Sequence, residues 1–369
     1  MQNTITLDNN IRLLLEGRET LSALKEALTH AQGCINLEYF SFHDDETGNT
    51  IKDILTERAR HGIKIRMIID AAGSWRLTKK FISDIKSSGI EFKFFMPFSF
   101  RNLPGIIHRD HRKIITVDNT TGFLGGFNIG DIYLRQWRDT HIKICGEAVR
   151  ELDKIFFSMW DNNSGKKRTC YAQEIITDSE GFEGIKNCVP VKIIASGKGE
   201  NFRAIADEYI KIISSAKKRV WITTPYFVPD NKFIDALQSA SGRGVDVRII
   251  IPSCSNHMLV SWAAQSYIDS LIKSGIRIFI YQDRFIHAKT MIADSHVASV
   301  GSANLDSLSF EINYEVQALI YSTKLVSELE KVFLDDLINC TEETHEIRKN
   351  RPLSLRIKES AGRLLAAIL

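Results

Sequence analysis

Two copies of one polar pattern stand out in the 369-residue sequence, because both contain residue types that handle phosphate. In each copy a lysine follows a histidine by 2 positions, an aspartate by 7, a glycine by 14, an asparagine by 17 and a further acid by 28. The first copy is His111, Lys113, Asp118, Gly125, Asn128 and Asp139, and the second is His287, Lys289, Asp294, Gly301, Asn304 and Glu315. So many matched offsets indicate a duplicated site rather than a chance similarity.

The residue types in each copy suit an anion site. A histidine and a lysine two apart on a strand point to the same face of a sheet. Lys113 and Lys289 are therefore candidates to bind the nonbridging oxygens of a phosphate group. Asn128, Asn304 and the hydroxyl of Ser302 are the further candidate phosphate-binding groups. No carboxylate cluster stands beside either copy to hold Mg²⁺, so we expect neither a metal nor a cofactor.

The two histidines can divide the work of a phosphodiester transfer. One neutral imidazole attacks phosphorus and forms a phosphohistidine, while the other exchanges a proton with the leaving and entering alcohols. Each needs an acceptor at its second ring nitrogen, and Asp139 and Glu315 are the candidates for that role. Asp118 and Asp294 belong to the candidate catalytic set by their place in the pattern. Because each ends a strand, a structural role is favoured for both, through loop backbone or through a lysine.

The duplication extends beyond these motifs and predicts the fold. Strands are expected over residues 34–40 and 63–70 in the first half, and over 220–227 and 245–251 in the second. Helices are expected over 50–61 and 231–241, and further strands over 91–95 and 277–281. Alternating strands and helices predict an α/β fold with two similar halves related by a pseudo-twofold axis. Each half should be a mixed, mostly parallel sheet flanked by helices.

The predicted domains are a first half at 1–168, a second half at 189–340 and a basic amphipathic tail at 341–369. Residues 169–188 are polar without clear periodicity, which indicates a linker or a surface excursion.

Overall composition excludes several other classes. The net charge is +3, from 48 Lys+Arg and 45 Asp+Glu, which does not favour nucleic acid as a partner. The six cysteines form no CxxC pair, so we expect buried, reduced thiols rather than a zinc site. No apolar stretch approaches the length of a membrane span, and the first ten residues lack a secretory signal pattern. Any membrane association is therefore expected to be peripheral.

In these motifs the sequence resembles the phospholipase D superfamily, whose signature is HxKxxxxDxxxxxxGSxN. The second copy matches throughout, whereas the first has Gly126 where the signature has serine. Within the superfamily it is most similar to bacterial cardiolipin synthases, from about Leu7 to the C-terminus. The similar segments are Asp45 with Gly48, Asp70–Ser74, Asp110–Ile114, Gly125–Asp131 with Tyr133, Trp137–His141, Thr224–Asp230 and Gly301–Asp306.

There are departures from those synthases as well. Many of them begin with two transmembrane helices that this sequence lacks. Ser307–Phe310 and Asn313–Glu315 stand where the family often has Arg-Ser-Phe and Asn-Phe-Glu. The missing arginine bears on the choice of lipid and not on the chemistry.

The resemblance implies a phosphatidyl transfer between two phosphatidylglycerol molecules, giving cardiolipin and glycerol through the phosphohistidine. By analogy with two-motif relatives, His111 is the expected nucleophile and His287 the expected acid and base. The alternative enzyme is a phospholipase D-type phosphodiesterase that hydrolyses phospholipid or nucleic acid. A third hypothesis is a lipid- or protein-binding module without catalysis. Oligomeric state is left open by the sequence.

Two segments are candidates for peripheral contact with an anionic membrane, on the cytoplasmic side of the cell membrane. Residues 94–107 carry four phenylalanines and two prolines just before His111, and form either a lipid-facing lip or a strand followed by a buried loop. Residues 351–369 mix leucines and isoleucines with basic residues, and form either an interfacial helix or a helix packed on the protein.

Overall fold

The computed structural model describes residues 4–97, 107–162, 188–197, 201–253 and 258–352. In the first part of the chain the strands are β1 (Ile5–Thr6), β2 (Asn9–Leu14), β3 (Cys34–Tyr39), β4 (Lys64–Asp70), β5 (Glu91–Phe95), β6 (Lys113–Val117), β7 (Thr121–Gly125), β8 (Trp137–Arg138) and β9 (His141–Gly146). The helices there are α1 (Gly17–Thr29), α2 (Glu46–Arg60), α3 (Lys79–Ser87), α4 (Asp131–Arg135) and α5 (Ala148–Asn162).

The second part of the chain repeats this order of strands and helices and has additional strands at the edges of its sheet. Its strands are β10 (Val191–Ser196), β11 (Arg219–Thr223), β12 (Phe227–Val228), β13 (Asp246–Pro252), β14 (Arg277–Tyr281), β15 (Phe285–Ile286), β16 (Thr290–Ala293), β17 (Val297–Gly301), β18 (Leu305–Asp306), β19 (Glu315–Ile320) and β20 (Cys340–Glu343). Its helices are α6 (Ala204–Ser215), α7 (Asn231–Gly242), α8 (Met258–Lys273), α9 (Ser307–Glu311), α10 (Thr323–Ile338) and α11 (His345–Lys349).

Each half contains one large sheet, and the two sheets have matching strand orders. The first is β2-β9-β7-β6-β3-β4-β5, and the second is β1-β10-β19-β17-β16-β11-β13-β14-β20. Strands β9 to β5 of the first order correspond one by one to β19 to β14 of the second. The prediction of two similar α/β halves with helix-flanked mixed sheets is confirmed.

The expectation that these sheets are mostly parallel is wrong. In each half two neighbouring pairs are parallel, namely β3 with β4 and β4 with β5, and β11 with β13 and β13 with β14. The other pairs in both sheets are antiparallel. The prediction of parallel pairing came from the helices that alternate with strands in the sequence. The motif strands instead fold back in tight hairpins, with Asp118, Asn119 and Asp294 in the left-handed region at φ of 52–55°.

Short-range signals gave the other elements to within a few residues. Helix α2 begins earlier than expected, because Asp45 caps it by accepting a hydrogen bond from Gly48 N at 3.0 Å. The strand expected over 220–227 is divided into β11 and β12. Pro225 lies in the break, where it has no N–H to give to a ladder.

An apolar core between the two sheets holds the halves together. Ile114 and Leu124 from the first sheet share one buried cluster with Val300 and Val316 from the second. Leu152 of α5 belongs to the same cluster, so this helix is packed between the sheets. Two further clusters lie within the individual halves.

Short pairings also cross between the halves beside each motif histidine. Strand β15, which precedes His287, pairs in parallel with β8, which precedes Asp139. Asp110, which precedes His111, forms a parallel bridge with Tyr314, which precedes Glu315. The backbone N–H of His111 donates to Tyr314 O at 2.9 Å, and that of His287 donates to Arg138 O at 2.7 Å.

Both edge strands of the second sheet contain residues outside 189–340, the range predicted for the second half. Strand β1 pairs with β10, and β20 pairs with β14. Helix α11 follows β20 and is anchored by Arg348, whose guanidinium contacts Asp269 and Gln265 of α8. The N-terminus and the start of the predicted tail therefore contribute to the second sheet, while the predicted boundaries at 168, 188 and 340 stay predictions.

Several predicted segments lie outside the described residues. These are the 169–188 linker apart from Cys188, most of the 94–107 segment and the tail beyond residue 352. Within the described parts, the helices are all too short or too polar to cross a bilayer.

Candidate active site

The structure brings both motifs to one place between the halves, and each histidine is bound to the acid of the other half. His111 Nδ1 lies 2.9 Å from Glu315 Oε1, and His287 Nδ1 lies 2.6 Å from Asp139 Oδ2. Because an ionised carboxylate only accepts, Nδ1 of each ring carries the proton and donates it. Both rings are thereby held in the tautomer that leaves Nε2 unprotonated. The orienting role predicted for Asp139 and Glu315 matches this geometry, and the crossing between halves is new.

Burial governs the electrostatics of this cluster. His111 and His287 are 8% and 4% exposed, and Lys113 and Lys289 are still more buried. Desolvation lowers the pKa of His111, although Glu315 opposes the shift, and it lowers the pKa of His287 well below the usual value. Desolvation also lowers the pKa of Lys113 to about 8 and that of Lys289 to about 7, against the attraction of Glu315 and Asp139. The resting site therefore holds neutral imidazoles and lysines that are only partly charged near pH 8.

Each lysine folds back onto its own motif. Lys113 Nζ donates to His111 O at 2.7 Å, and Lys289 Nζ donates to His287 O. Lys289 Nζ also lies 2.7 Å from Nδ1 of His287. Nδ1 of His287 carries a proton that it donates to Asp139, so this nitrogen has no lone pair with which to accept a hydrogen bond from Lys289. The Nζ group of Lys289 therefore lies beside the imidazole without a hydrogen bond to Nδ1.

Glu315 is fixed by more partners than its histidine alone. Its carboxylate also accepts from Ser302 Oγ at 2.5 Å and from Ser309 Oγ at 2.8 Å. Ser302 in turn accepts from the backbone N–H of Val316 at 3.0 Å. The Ser302 hydroxyl donates its proton to Glu315, and the predicted contact of Ser302 with phosphate stays a prediction. Sequence reasoning missed Ser309, whose only signal was its position in the Ser307–Phe310 segment.

The departure from the signature at Gly126 has a steric explanation. A Cβ atom at this position would lie 2.0 Å from Asp139 Oδ1. The shorter acid of the first copy thus fills the space that a serine side chain would need. The second copy combines Ser302 with the longer Glu315, and the first combines Gly126 with Asp139. Both combinations deliver a carboxylate oxygen to the histidine of the opposite half.

The two motif asparagines are buried next to the histidine strands. Asn128 Oδ1 accepts from Ser41 N at 3.2 Å, which turns its NH₂ group the other way. Asn304 Oδ1 is buried and has no hydrogen-bond partner among the described residues. Within the described part of the chain Asn304 thus retains a buried polar atom without a partner, as a substrate site requires, and Asn128 has its NH₂ group directed away from Ser41.

Asp118 and Asp294 are both bound to loop backbone. Each lies at the far end of the motif strand from its histidine. Asp118 accepts from the backbone N–H groups of Gln32, Gly33 and Cys34 at 2.7–2.9 Å. Asp294 accepts in the same way from those of residues 217–219. Of the alternatives for these two acids, the structure supports loop backbone over a lysine, and their place in the catalytic set stays a prediction.

Aromatic rings border the histidines. Phe40 meets the His111 ring edge-on at a centroid distance of 4.9 Å, and Trp137 lies 4.7 Å from the His287 ring. Tyr226 contacts the His287 ring from another side at 6.4 Å. These rings limit the freedom of the imidazoles and keep water from their faces. Phe40 and Tyr226 were missed as site residues, since aromatic residues after a buried strand are common in cores.

A buried ionic cluster lies behind His111. Asp110 N donates to Asp70 Oδ2 at 3.0 Å, and Arg112 donates to the backbone oxygens of Glu315 and Ser196. Arg138, which precedes Asp139, forms a two-point ion pair with Asp336 at 2.9–3.0 Å. Each arginine ties the loop of one half to the other half. No group of acids, histidines and cysteines within the described ranges has the arrangement of a metal site.

Comparison with known proteins follows the same two halves. The family described as "Cardiolipin synthase, PLD-like domain" matches residues 24–160 and 209–337. A cardiolipin synthase of Halalkalibacterium halodurans is 39% identical over 100% of this chain and 74% of its own length. The major cardiolipin synthase ClsA of Bacillus subtilis is 38% identical over 99% of this chain and 76% of its own.

Solved structures share the fold at low sequence identity. Phosphatidylserine synthase of Haemophilus influenzae has a TM-score of 0.77 at 16% identity, covering 100% of this chain and 98% of its own. Polyphosphate kinase of Porphyromonas gingivalis has a TM-score of 0.61 at 14% identity, covering 98% of this chain and 53% of its own. At these identities the likeness concerns the fold alone.

The contrast between the two kinds of aspartate is directly testable. Asp118→Asn removes carboxylate acceptors from a backbone loop, so it should lower the free energy of unfolding by about 1–3 kcal/mol and leave kcat within about threefold. Asp139→Asn should leave stability nearly unchanged and lower kcat by about 10²–10⁴, because the His287 ring loses its orienting acceptor. Urea unfolding and initial rates on one phosphodiester substrate measure both effects. Asp294→Asn is the matched control for Asp118, and loss of activity at unchanged stability in either would contradict the structural role.

The lowered lysine pKa values predict proton uptake on anion binding. At pH 8, Lys289 with a pKa of about 7 is mostly neutral. A bound anion raises that pKa, so the site takes up protons from solution. Calorimetry with sulfate in buffers of different ionisation enthalpy should show uptake at pH 8 that Lys289→Met reduces, and the reduction should be smaller at pH 6. Equal uptake by the wild type and the variant at pH 8 would contradict this account.

Proposed function

Since this chain belongs to the cardiolipin synthase family of phospholipase D-like proteins, we propose that it joins two phosphatidylglycerol molecules into cardiolipin and glycerol through a covalent phosphohistidine. It is a phosphatidyltransferase of the phospholipase D superfamily. The observation that carries the mechanism is the crossed pairing of His111 with Glu315 and of His287 with Asp139. This pairing supplies two imidazoles in one site with the same free nitrogen.

In the first half-reaction, Nε2 of His111 attacks the phosphorus of phosphatidylglycerol. A nitrogen–phosphorus bond forms as the bond from phosphorus to the glycerol oxygen breaks. His287, protonated at Nε2 in the loaded site, gives that proton to the departing oxygen. The bound phosphodiester anion raises the pKa of this buried imidazole, and Asp139 stabilises the charged ring.

In the second half-reaction, the glycerol hydroxyl of another phosphatidylglycerol enters. Its proton passes to Nε2 of His287, its oxygen bonds to phosphorus, and the nitrogen–phosphorus bond breaks. The products are cardiolipin and neutral His111, while His287 is again protonated. The assignment of His111 as nucleophile rests on analogy with two-motif relatives, because each ring has a carboxylate at Nδ1 and a free Nε2.

Lys113, Lys289, Asn128 and Asn304 are the proposed ligands of the nonbridging phosphate oxygens. The lysines become fully charged when the anion binds. They therefore stabilise the bound phosphodiester and the transition state by charge. The amides add donors without net charge. In this proposal Ser302 acts on His111 through Glu315 and is a positioning residue.

The proposed location is peripheral, on the cytoplasmic side of the cell membrane. A substrate with two acyl chains resides in the bilayer, so the site must open towards a lipid surface. Phosphatidylglycerol has an anionic headgroup, so a bilayer that contains it has an anionic surface. We propose that the protein contacts this surface directly.

Product analysis tests the proposed reaction. Purified protein with radiolabelled phosphatidylglycerol should release one glycerol for each cardiolipin formed. His111→Ala and His287→Ala should each lower turnover by at least about 10³. His287→Ala alone should accumulate a phosphatidyl adduct, detected by mass spectrometry on His111, when a good leaving group replaces glycerol. Lys25→Ala, on the exposed face of α1, serves as the active control.

Three outcomes would contradict this proposal. Phosphatidic acid as the only product would indicate hydrolysis. Cleavage of DNA without lipid turnover would indicate a nuclease. An adduct on His287 in the His111→Ala variant would reverse the roles of the two histidines.

A further inference from the structure

We propose that an exposed surface beside the active site, formed by Trp75, Arg76, Lys79 and Lys80, docks the enzyme on an anionic lipid bilayer. We call this surface the Trp75 lip. The inference rests on the proposed function, because the occupant is argued from a substrate that is part of a membrane. It concerns residues outside both motifs and outside the two segments that the sequence had suggested for membrane contact.

The first observation is the exposure of Trp75. Its side chain is 68% exposed, the largest exposed aromatic side chain in the described part of the molecule. It follows Ser74, which is buried at 2% exposure. Because the neighbouring Ser74 already fixes the turn, the exposed side chain of Trp75 is not needed to stabilise the fold at this position. Tryptophan is the residue type most suited to the boundary between lipid headgroups and acyl chains.

The second observation is the position of this tryptophan relative to His111. Ser74 Oγ donates to Phe40 O at 3.1 Å and accepts from Phe42 N at 2.9 Å. The ring of Phe40 packs edge-on against the ring of His111. Ser74, which directly precedes the lip, is therefore hydrogen-bonded to a residue that contacts the proposed nucleophile. This connection is the ground for placing the lip beside the active site.

A parallel chain of contacts leads to His287. Burial lowers the pKa of His43 and raises that of Tyr133, and the nearby Arg76 guanidinium acts on both groups with a smaller lowering effect. The Tyr133 ring packs edge-on against Trp137 at 4.7 Å, and Trp137 packs against His287. Arg76 is thus connected through Tyr133 and Trp137 to His287, as Ser74 is connected through Phe40 to His111.

The third observation is the charge around Trp75. Arg76, Lys79 and Lys80 are all exposed, and the Arg76 guanidinium lies 5.0 Å from the centre of the Trp75 ring. Asp44 beside the lip accepts from Thr78 Oγ1 at 2.5 Å and from Asn49 Nδ2 at 3.0 Å, and Asp84 on the same helix as Lys79 and Lys80 lies 3.8 Å from Lys52 Nζ. Three exposed cations beside acids that already have partners favour an anionic partner. An aromatic side chain with adjacent basic residues matches the chemistry of an anionic bilayer surface.

Docking at this lip has a consequence for catalysis. A bilayer that takes up Trp75 lies against the mouth of the site, so a phospholipid headgroup reaches Nε2 of His111 while its acyl chains stay in the membrane. The lip should raise the local concentration of substrate without taking part in the chemistry. Its loss should therefore affect the enzyme on vesicles and spare it on dissolved substrate.

Vesicle sedimentation tests the docking directly. Wild-type protein should pellet with vesicles of phosphatidylglycerol and phosphatidylcholine in equal parts, and less with pure phosphatidylcholine. Trp75→Ala should weaken the partition coefficient by about tenfold. Arg76→Ala/Lys79→Ala/Lys80→Ala should weaken it by more, roughly fivefold for each residue at low salt, with a smaller effect at 0.5 M salt. Ile338→Ala and the surface triple Lys211→Ala/Lys324→Ala/Lys331→Ala are the matched controls and should pellet like the wild type.

Activity measurements separate docking from the chemistry. On short-chain phosphatidylglycerol below its critical micelle concentration, Trp75→Ala should keep the wild-type kcat/KM within about twofold. Failure of the wild type to turn over lipid would overturn the proposed function, whereas sedimentation would still test the lip. Sedimentation of Trp75→Ala equal to that of the wild type would overturn the lip. A loss of activity on dissolved substrate as large as the loss on vesicles would overturn it too, because the residue would then act in the site.

Discussion

The crossed hydrogen bonds between histidines and carboxylates are the constraint on which the rest of the structure depends. Each imidazole comes from one half, and the acid that fixes its tautomer comes from the other. A shift of one sheet against the other would separate both pairs. The apolar core between the sheets, the backbone pairing of β8 with β15 and the bridge from Asp110 to Tyr314 all serve to prevent that shift. Neither half is a complete site by itself.

Burial gives this arrangement its chemical character. Removing two lysines and two histidines from water disfavours their charged forms, and the two crossed carboxylates offset only part of that cost. The resting site is therefore short of positive charge until an anion enters it. A phosphodiester restores the balance by drawing protons onto Lys289 and onto His287. The same desolvation that lowers the charge of the lysines in the empty site strengthens their electrostatic interaction with the phosphoryl group in the transition state.

The sequence predicted the duplicated fold, and it singled out the histidines and acids that the structure brings together, because matched offsets report equivalent positions in two copies. It did not predict that Glu315 serves His111 and Asp139 serves His287, since an offset within one copy carries no information about contacts between copies. It overestimated parallel pairing, because helical crossovers are conspicuous in a sequence while the hairpins at Asp118 and Asp294 are not. Ser302 was assigned to phosphate from its residue type, and only three-dimensional packing reveals its bond to Glu315. The Trp75 lip had no signal in the motifs, because exposure is a property of the fold.

The central claim is that each acid controls the histidine of the opposite half, and nitrogen NMR of the histidine rings tests it most directly. In protein labelled with ¹⁵N-histidine, both catalytic rings should show protonated Nδ1 and unprotonated Nε2 at neutral pH. Glu315→Gln should change the Nδ1 resonance of His111 and leave that of His287 in place, and Asp139→Asn should do the reverse. His111→Gln and His287→Gln assign the two signals. Changes confined to the histidine of the same half in each acid variant would contradict the account.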